Sequence, residues 1–314
     1  MNNIDSEYLA LTQTGGWAEL LGRTTISMRG ADRQKLLHSF CTADIKSLAE
    51  GECCEAFVLN GKGKTIAHVL VLSLADHLLL STTAGQAELL ISHLDKYIIR
   101  EDVTLENQSE STCSFFVCGE KVAASLFQLV TELPERNKVI TQDVAGVVFH
   151  VANVEVAGCG YLVIAGIGNR DWFQQSLTES GLTTASPDAL DLLRVERGMP
   201  WFGIDIDDRN LPQEVQRDSE AISFTKGCYL GQETVARIDA IGHVNQLLVR
   251  LVFSEGPLPV VGAELFSDEK SVGRVTSVAQ IPAGAMLGLG YVKRSFAKPS
   301  VELKHEHGTA FVVA

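Results

Sequence analysis

Lys226-Gly227-Cys228-Tyr229-Leu230-Gly231-Gln232-Glu233 sets two glycines, a cation, a thiol and an amide–carboxylate pair within eight residues, directly ahead of a helical stretch through Val235 and Ile238. Gly227 frees the backbone to turn. Cys228 then sits near a helix N-terminus, where the partial positive charge and the neighbouring Lys226 favour a thiolate. Cys228 is therefore the candidate functional thiol of the chain. The same residues also read as a thiol buried in the turn that starts a helix, and chemistry alone leaves both readings open.

Outward from this segment the chain changes character. Beyond about Gly242, residues 247–253, 263–266, 271–278, 285–292 and 301–303 are short strand-like runs separated by Gly and Pro, the pattern of a small antiparallel barrel. Upstream, strand-like and helix-like stretches interleave without a regular βαβ alternation, which argues for α+β rather than a doubly wound sheet. Residues 57–59 and 65–74 flank Asn60-Gly61 as a β-hairpin. Helices are expected over 31–37 from Asp32, over 86–96, through Leu126, Phe127, Leu129 and Val130, over 171–180, and from Pro187 to Arg197 with proline early in the first turn. The expected organisation is an α+β region over 1–241 and a β-barrel over 242–314.

Composition narrows the function classes. The 314 residues are 46% hydrophobic and carry 26 basic against 39 acidic side chains, a formal net charge of −13. Such a field repels phosphate backbones and anionic membranes, so no direct nucleic-acid or membrane partner is expected. The N-terminus has neither a basic segment followed by an apolar run nor an Arg-rich transit character, and the longest apolar stretch is broken at Asp76-His77. A cytoplasmic location is the expectation. Seven cysteines, an odd number without a CxxC pair, read as reduced thiols and not as metal ligands.

Three lesser motifs carry little. Gly63-Lys64-Thr65 lacks the glycine that a phosphate loop needs at Val58, and Gly166-Ile167-Gly168 has Asp171 where a dinucleotide fingerprint needs its third glycine. His305 and His307 alternate on a terminal strand and are expected to face solvent on an edge.

The octapeptide 226–233 resembles the K-G-C-Y-x-G-Q-E signature of the YgfZ family, folate-binding relatives of the glycine-cleavage T-protein aminomethyltransferase. The likeness extends along the chain. It includes Gly30-Ala31-Asp32 with Thr42-Ala43-Asp44-Ile45, the hairpin Leu59-Asn60-Gly61-Lys62-Gly63-Lys64, and Leu193-Arg194-Val195-Glu196-Arg197-Gly198-Met199-Pro200. Leu211-Pro212-Gln213-Glu214, Gly273-Arg274-Val275-Thr276-Ser277 and Leu287-Gly288-Leu289-Gly290-Tyr291-Val292 complete it.

The resemblance implies two interleaved ferredoxin-like units and a terminal barrel around a central hole that takes tetrahydrofolate or a derivative. A pterin offers adjacent N–H donors that one carboxylate accepts in bidentate fashion, and Glu196 matches that position. Trp201 is expected to wall the cavity, Arg237 to meet the glutamate tail, and Cys228 to open onto the same hollow. The implied role is a monomeric accessory protein for iron–sulfur cluster assembly or repair, acting with iron–sulfur client or assembly proteins and indirectly supporting tRNA thiolation. A folate-dependent aminomethyltransferase or demethylase acting on a small amine is the alternative. Against it, the Asp–Asp pair of the transferases aligns with Ala67 and His68, leaving no carboxylate at that point. Arg23 and Leu190 stand where some bacterial relatives have tryptophan, a departure at the ligand itself.

Overall fold

The computed structural model describes residues 3–126, 129–254 and 256–313. Strand periodicity builds its centre. In Cys53–Leu59, Ala56 and Val58 enter one apolar cluster while Phe57 and Leu59 enter another; in Thr65–Ser73, Val69 and Val71 separate from Leu70 and Leu72 in the same manner. A strand whose two faces are both apolar must be covered on both sides. One side carries the helices Arg33–His38 and Ala87–Asp95, through Leu36, Leu37, Leu90 and Leu94. The other faces inward, toward the second sheet.

The first sheet has five strands in the order Cys53–Leu59, Thr65–Ser73, His77–Thr82, Thr24–Arg29, Thr104–Asn107. The second has six, in the order Thr183–Thr184, Gly16–Glu19, Thr112–Cys118, Cys159–Gly166, Val147–Glu155, Val139–Val144. Gly16–Glu19 leaves its sequence neighbour Thr24–Arg29 and pairs antiparallel with Thr112–Cys118, so the start of the chain lends a strand to the second sheet. This is the interleaved α+β arrangement the sequence implies. Leu20, Leu70, Phe116, Leu162, Leu190 and Leu193 fill a shared core between the sheets.

The helix Pro187–Arg197 runs through that core. Ser186 Oγ accepts from Ala189 N, proline opens the first turn, and Gly198 ends the helix at φ 72°, a left-handed conformation that suits glycine. Arg194, nearly fully buried, joins this helix to the barrel: Nη1 donates to Asp205 Oδ2 at 2.7 Å and Nη2 to Ser277 Oγ at 2.8 Å. Asp205 Oδ1 in turn accepts from Thr276 and Ser277 hydroxyls at 2.6 and 2.7 Å.

The barrel is closed by six strands, Gln246–Phe253, Met286–Lys293, Lys270–Gln280, Glu264–Ser267, Glu302–His305 and Gly308–Val313. The last of these, not anticipated from sequence, pairs with both the first and the fifth and so removes the free edge. His305 is consequently buried against Phe253, ring centroids 5.4 Å apart, instead of facing solvent. The helix expected through Leu126, Phe127, Leu129 and Val130 lies earlier, at Val122–Leu126; Leu129 and Val130 are not helical, and Phe127 lies outside the described residues. Among the described residues no helix is long and apolar enough to cross a membrane.

Candidate functional site

Two adjoining hollows lie where the sheets, the helix Pro187–Arg197 and the loop after it meet. The larger chamber, about 390 Å³, has apolar walls at Leu20, Leu190 and Ile204; the smaller recess, about 30 Å³, is bordered by Glu55, His68 and Met199. Arg23, Thr83, Trp201 and Phe202 line both. Trp201 takes the place expected for it, and its position is fixed. Its indole N–H donates to Val156 O at 2.8 Å, its backbone N–H to Asp205 Oδ2 at 3.0 Å, and the Arg194 guanidinium lies 5.1 Å from its ring centroid.

Arg23 is the unbalanced charge of the cavity. Its Nε donates to Ser81 Oγ at 2.7 Å, and among the described residues no carboxylate pairs with it. Glu19, also on the chamber wall, is already held by Arg170 at 2.7 Å. Burial pushes the Arg23 guanidinium down to about 10, which still leaves it charged near neutrality. A cation held in this way favours an anionic group on whatever enters.

The recess is polar because Glu55, Phe57 and Leu59 share one face of their strand and His68, Leu70 and Leu72 share the same face of the next, with Phe57 directly opposite His68. His68 stacks on Phe57 with ring centroids 4.7 Å apart, and its Nε2 lies 2.7 Å from Glu55 Oε1. Arg217 grips Glu55 through two bonds of 2.5 and 2.6 Å and reaches Glu155 Oε2 at 2.8 Å. Burial would raise the Glu55 carboxyl, but His68 and Arg217 outweigh it and hold it at about 2. Ala67 and His68 bring no carboxylate of their own, yet the recess does not lack one. One arrives from the adjacent strand, hidden from sequence because Arg217, which makes its burial tolerable, lies 162 residues away. Arg23 belonged to no motif; the family likeness marked it only as a departure from tryptophan, and nothing in the sequence showed that its charge would stand without a carboxylate.

Glu196 ends up beside Tyr8, whose phenol is pushed up by burial and then by that carboxylate. It lines neither hollow directly, but Tyr8 packs in the same cluster as Leu20, Leu70, Val156 and Leu190, which do. Arg197 Nε is 3.8 Å from Glu196 Oε2, and that buried oxygen has no hydrogen-bond partner among the described residues. Arg237 is exposed on the helix Gln232–Ile241 and lines neither hollow.

The octapeptide is a rigid loop. Lys226 is buried, and its Nζ donates to the carbonyls of His38, Cys41 and Ala43 at 2.6, 2.8 and 2.7 Å while lying 4.7 Å from the Tyr229 ring centroid. Its charge is therefore committed to the backbone, not offered to Cys228 as the sequence reading supposed. Gly231 has φ 82°, and a Cβ there would meet Asn60 O at 2.7 Å, so the loop packs against the hairpin backbone as only glycine permits. Gln232 begins the following helix, with Gly231 as its cap, which puts Cys228 a full turn ahead of it. Cys228 itself is exposed, not buried, and lines neither hollow. An apolar cluster containing Tyr229, Phe57 and Phe202 links the loop to the cavity wall.

A model of the GCVT N-terminal domain matches residues 1–219. A tRNA-modifying protein YgfZ of Yersinia pestis is 25% identical over 298 residues, covering 93% of this chain and 87% of that protein. The chain belongs to the YgfZ family of GCVT-domain proteins. Other relatives of the family are a putative chloroplast transferase of Arabidopsis thaliana, 29% identical over 289 residues, and an aminomethyltransferase of Chloroherpeton thalassium, 25% identical over 304. The chain covers 64% of the Arabidopsis protein and 83% of the Chloroherpeton one, with 88% and 93% of its own length aligned. The fold is that of the glycine-cleavage aminomethyltransferase T of Bartonella henselae: TM-score 0.89 at 18% identity, over 99% of this chain and 88% of that one.

Proposed function

We propose that this YgfZ-family chain binds a reduced folate in the two adjoining hollows and serves as an accessory protein for iron–sulfur cluster assembly or repair, indirectly supporting tRNA thiolation. Folate binding is supported by the chemistry of the walls. Trp201 offers a ring face and Arg23 a counter-charge for a carboxylate, while Glu196, the pterin reader the family likeness suggests, lines neither hollow. The observation that carries the accessory role is the octapeptide. A buried lysine and a close-packed glycine hold the loop of a thiol that lines neither hollow and is exposed to solvent, where another protein can meet it.

Titration with 5-formyltetrahydrofolate, followed through Trp201 fluorescence, tests the first half; no saturable change would refute it. For the second half, gene deletion should lower methylthiolated tRNA bases and cluster-enzyme activity, and Cys228→Ser should reproduce the deletion. Full complementation by that variant would leave the thiol without a role. One observation favours the alternative, an amine-dependent one-carbon transferase: the Glu55–His68 pair at the recess restores an acid–base group where the transferase carboxylates are missing. Formation of methylene-tetrahydrofolate from small amines would establish that reading.

A further inference from the structure

The recess contains a pre-organised acid–base pair that no feature of folate binding requires. Glu55 is nearly sealed from solvent and clamped through both oxygens by Arg217, so it stays ionised and fixed. His68 Nε2 lies 2.7 Å from it and must carry the proton of that bond, because an ionised carboxylate can only accept. Neutral His68 therefore has one tautomer, with a bare lone pair on Nδ1. Stacking on Phe57 fixes the ring plane, and Nδ1 has no hydrogen-bond partner among the described residues although His68 borders the recess.

We propose that His68 and Glu55 form a dyad whose Nδ1 accepts an N–H of the ligand held in the cavity, and so acts as the base for that nitrogen. The proposal rests on the folate reading, since reduced pterins carry several N–H groups on one edge. The recess holds about 30 Å³, which admits one ring edge or one water, so contact is direct or through a single water. If the proton transfers fully, the ligand N–H bond breaks, its electron pair remains on nitrogen, an Nδ1–H bond forms, and the new imidazolium lies against ionised Glu55. No other reactant is needed.

The charged groups facing this dyad are Glu55, Arg217, Glu155 and Arg23. Glu55 is held at about 2 and Arg23 at about 10, Arg217 is pushed up and Glu155 down, so none of these four changes its charge between pH 5 and 8. Protonation turns Nδ1 from acceptor to donor. Affinity for 5-formyltetrahydrofolate, measured by calorimetry, should therefore fall as the pH is lowered, by up to about tenfold per pH unit for a single linked proton. Wherever affinity falls with falling pH, binding should release a proton, seen as a heat that changes with the buffer. His68→Gln should flatten both dependences. Binding that is flat from pH 5 to 8 in the unaltered protein, or a slope that survives in His68→Gln, overturns the dyad while leaving the folate reading intact. No binding heat at any pH overturns both.

Discussion

Replacing Lys226 with methionine separates a structural from an electrostatic role for the octapeptide's cation. The lysine holds three carbonyls, of which Ala43 O keeps a second donor in Ile45 N at 3.1 Å. The loss thus falls on the carbonyls of His38 and Cys41, each left buried without its charged donor. At about 1–3 kcal/mol for an orphaned buried group, two carbonyls cost on the order of 4 kcal/mol. Methionine offsets part of this, because it fills the space with no ammonium to desolvate, and burial already disfavours the charged form of Lys226. The net expectation is ~3 kcal/mol of lost stability, read from urea unfolding midpoints, with Tm lower by roughly 6 °C. Iodoacetamide alkylation of Cys228 in the folded variant should change less than about threefold. A loss below ~1 kcal/mol together with a tenfold slower thiol would refute this reasoning and return Lys226 to the thiol.

Three further expectations follow from the cavity. Glu55 has its folded value held below its unfolded one, so its ionisation contributes stability above about pH 4.5 that disappears as pH falls toward about 2, roughly 3 kcal/mol in all; acid unfolding of Glu55→Gln should show a weaker dependence across that window than the unaltered protein. Arg23→Leu should weaken 5-formyltetrahydrofolate about tenfold or more but a pterin without carboxylates less than twofold, measured by fluorescence titration. Asp205→Ala leaves the buried guanidinium of Arg194 with Asp191 as its carboxylate partner and takes the acceptor from two buried hydroxyls, so it should cost about 3 kcal/mol in denaturant unfolding, with Trp201 emission shifted because Asp205 also holds its backbone.

What could be read from sequence was what local chemistry decides. The hairpin about Asn60-Gly61 appears as Cys53–Leu59 and Thr65–Ser73, with Asn60 Oδ1 accepting from Lys62 N and Lys64 N. The helix Pro187–Arg197 has the expected bounds because serine, proline and glycine mark both its ends. The family likeness placed Trp201 on the cavity wall. Sequence did not reveal partners that meet only in three dimensions. Gly16–Glu19 is too short and mixed to announce which sheet it joins, and Gly308–Val313 is a strand only because the barrel must close. Glu55 reads as one acidic residue in an apolar run until Arg217 and His68 surround it. Lys226 looked like a neighbour of the thiol because it is two residues away, yet its side chain turns inward to carbonyls some 185 residues earlier.

The lent strand also bears on how the polypeptide emerges from the ribosome. Gly16–Glu19 is synthesised early but hydrogen-bonds to Thr112–Cys118, nearly a hundred residues later, and then to Thr183–Thr184. Until translation reaches those points its main-chain donors and acceptors stay unpaired and Trp17 and Ala18 have no core to enter. The five-stranded sheet draws all its strands from residues 24–107, whereas the six-stranded one needs Gly16–Glu19 from the start of the chain, so a cut between them leaves the later fragment one strand short.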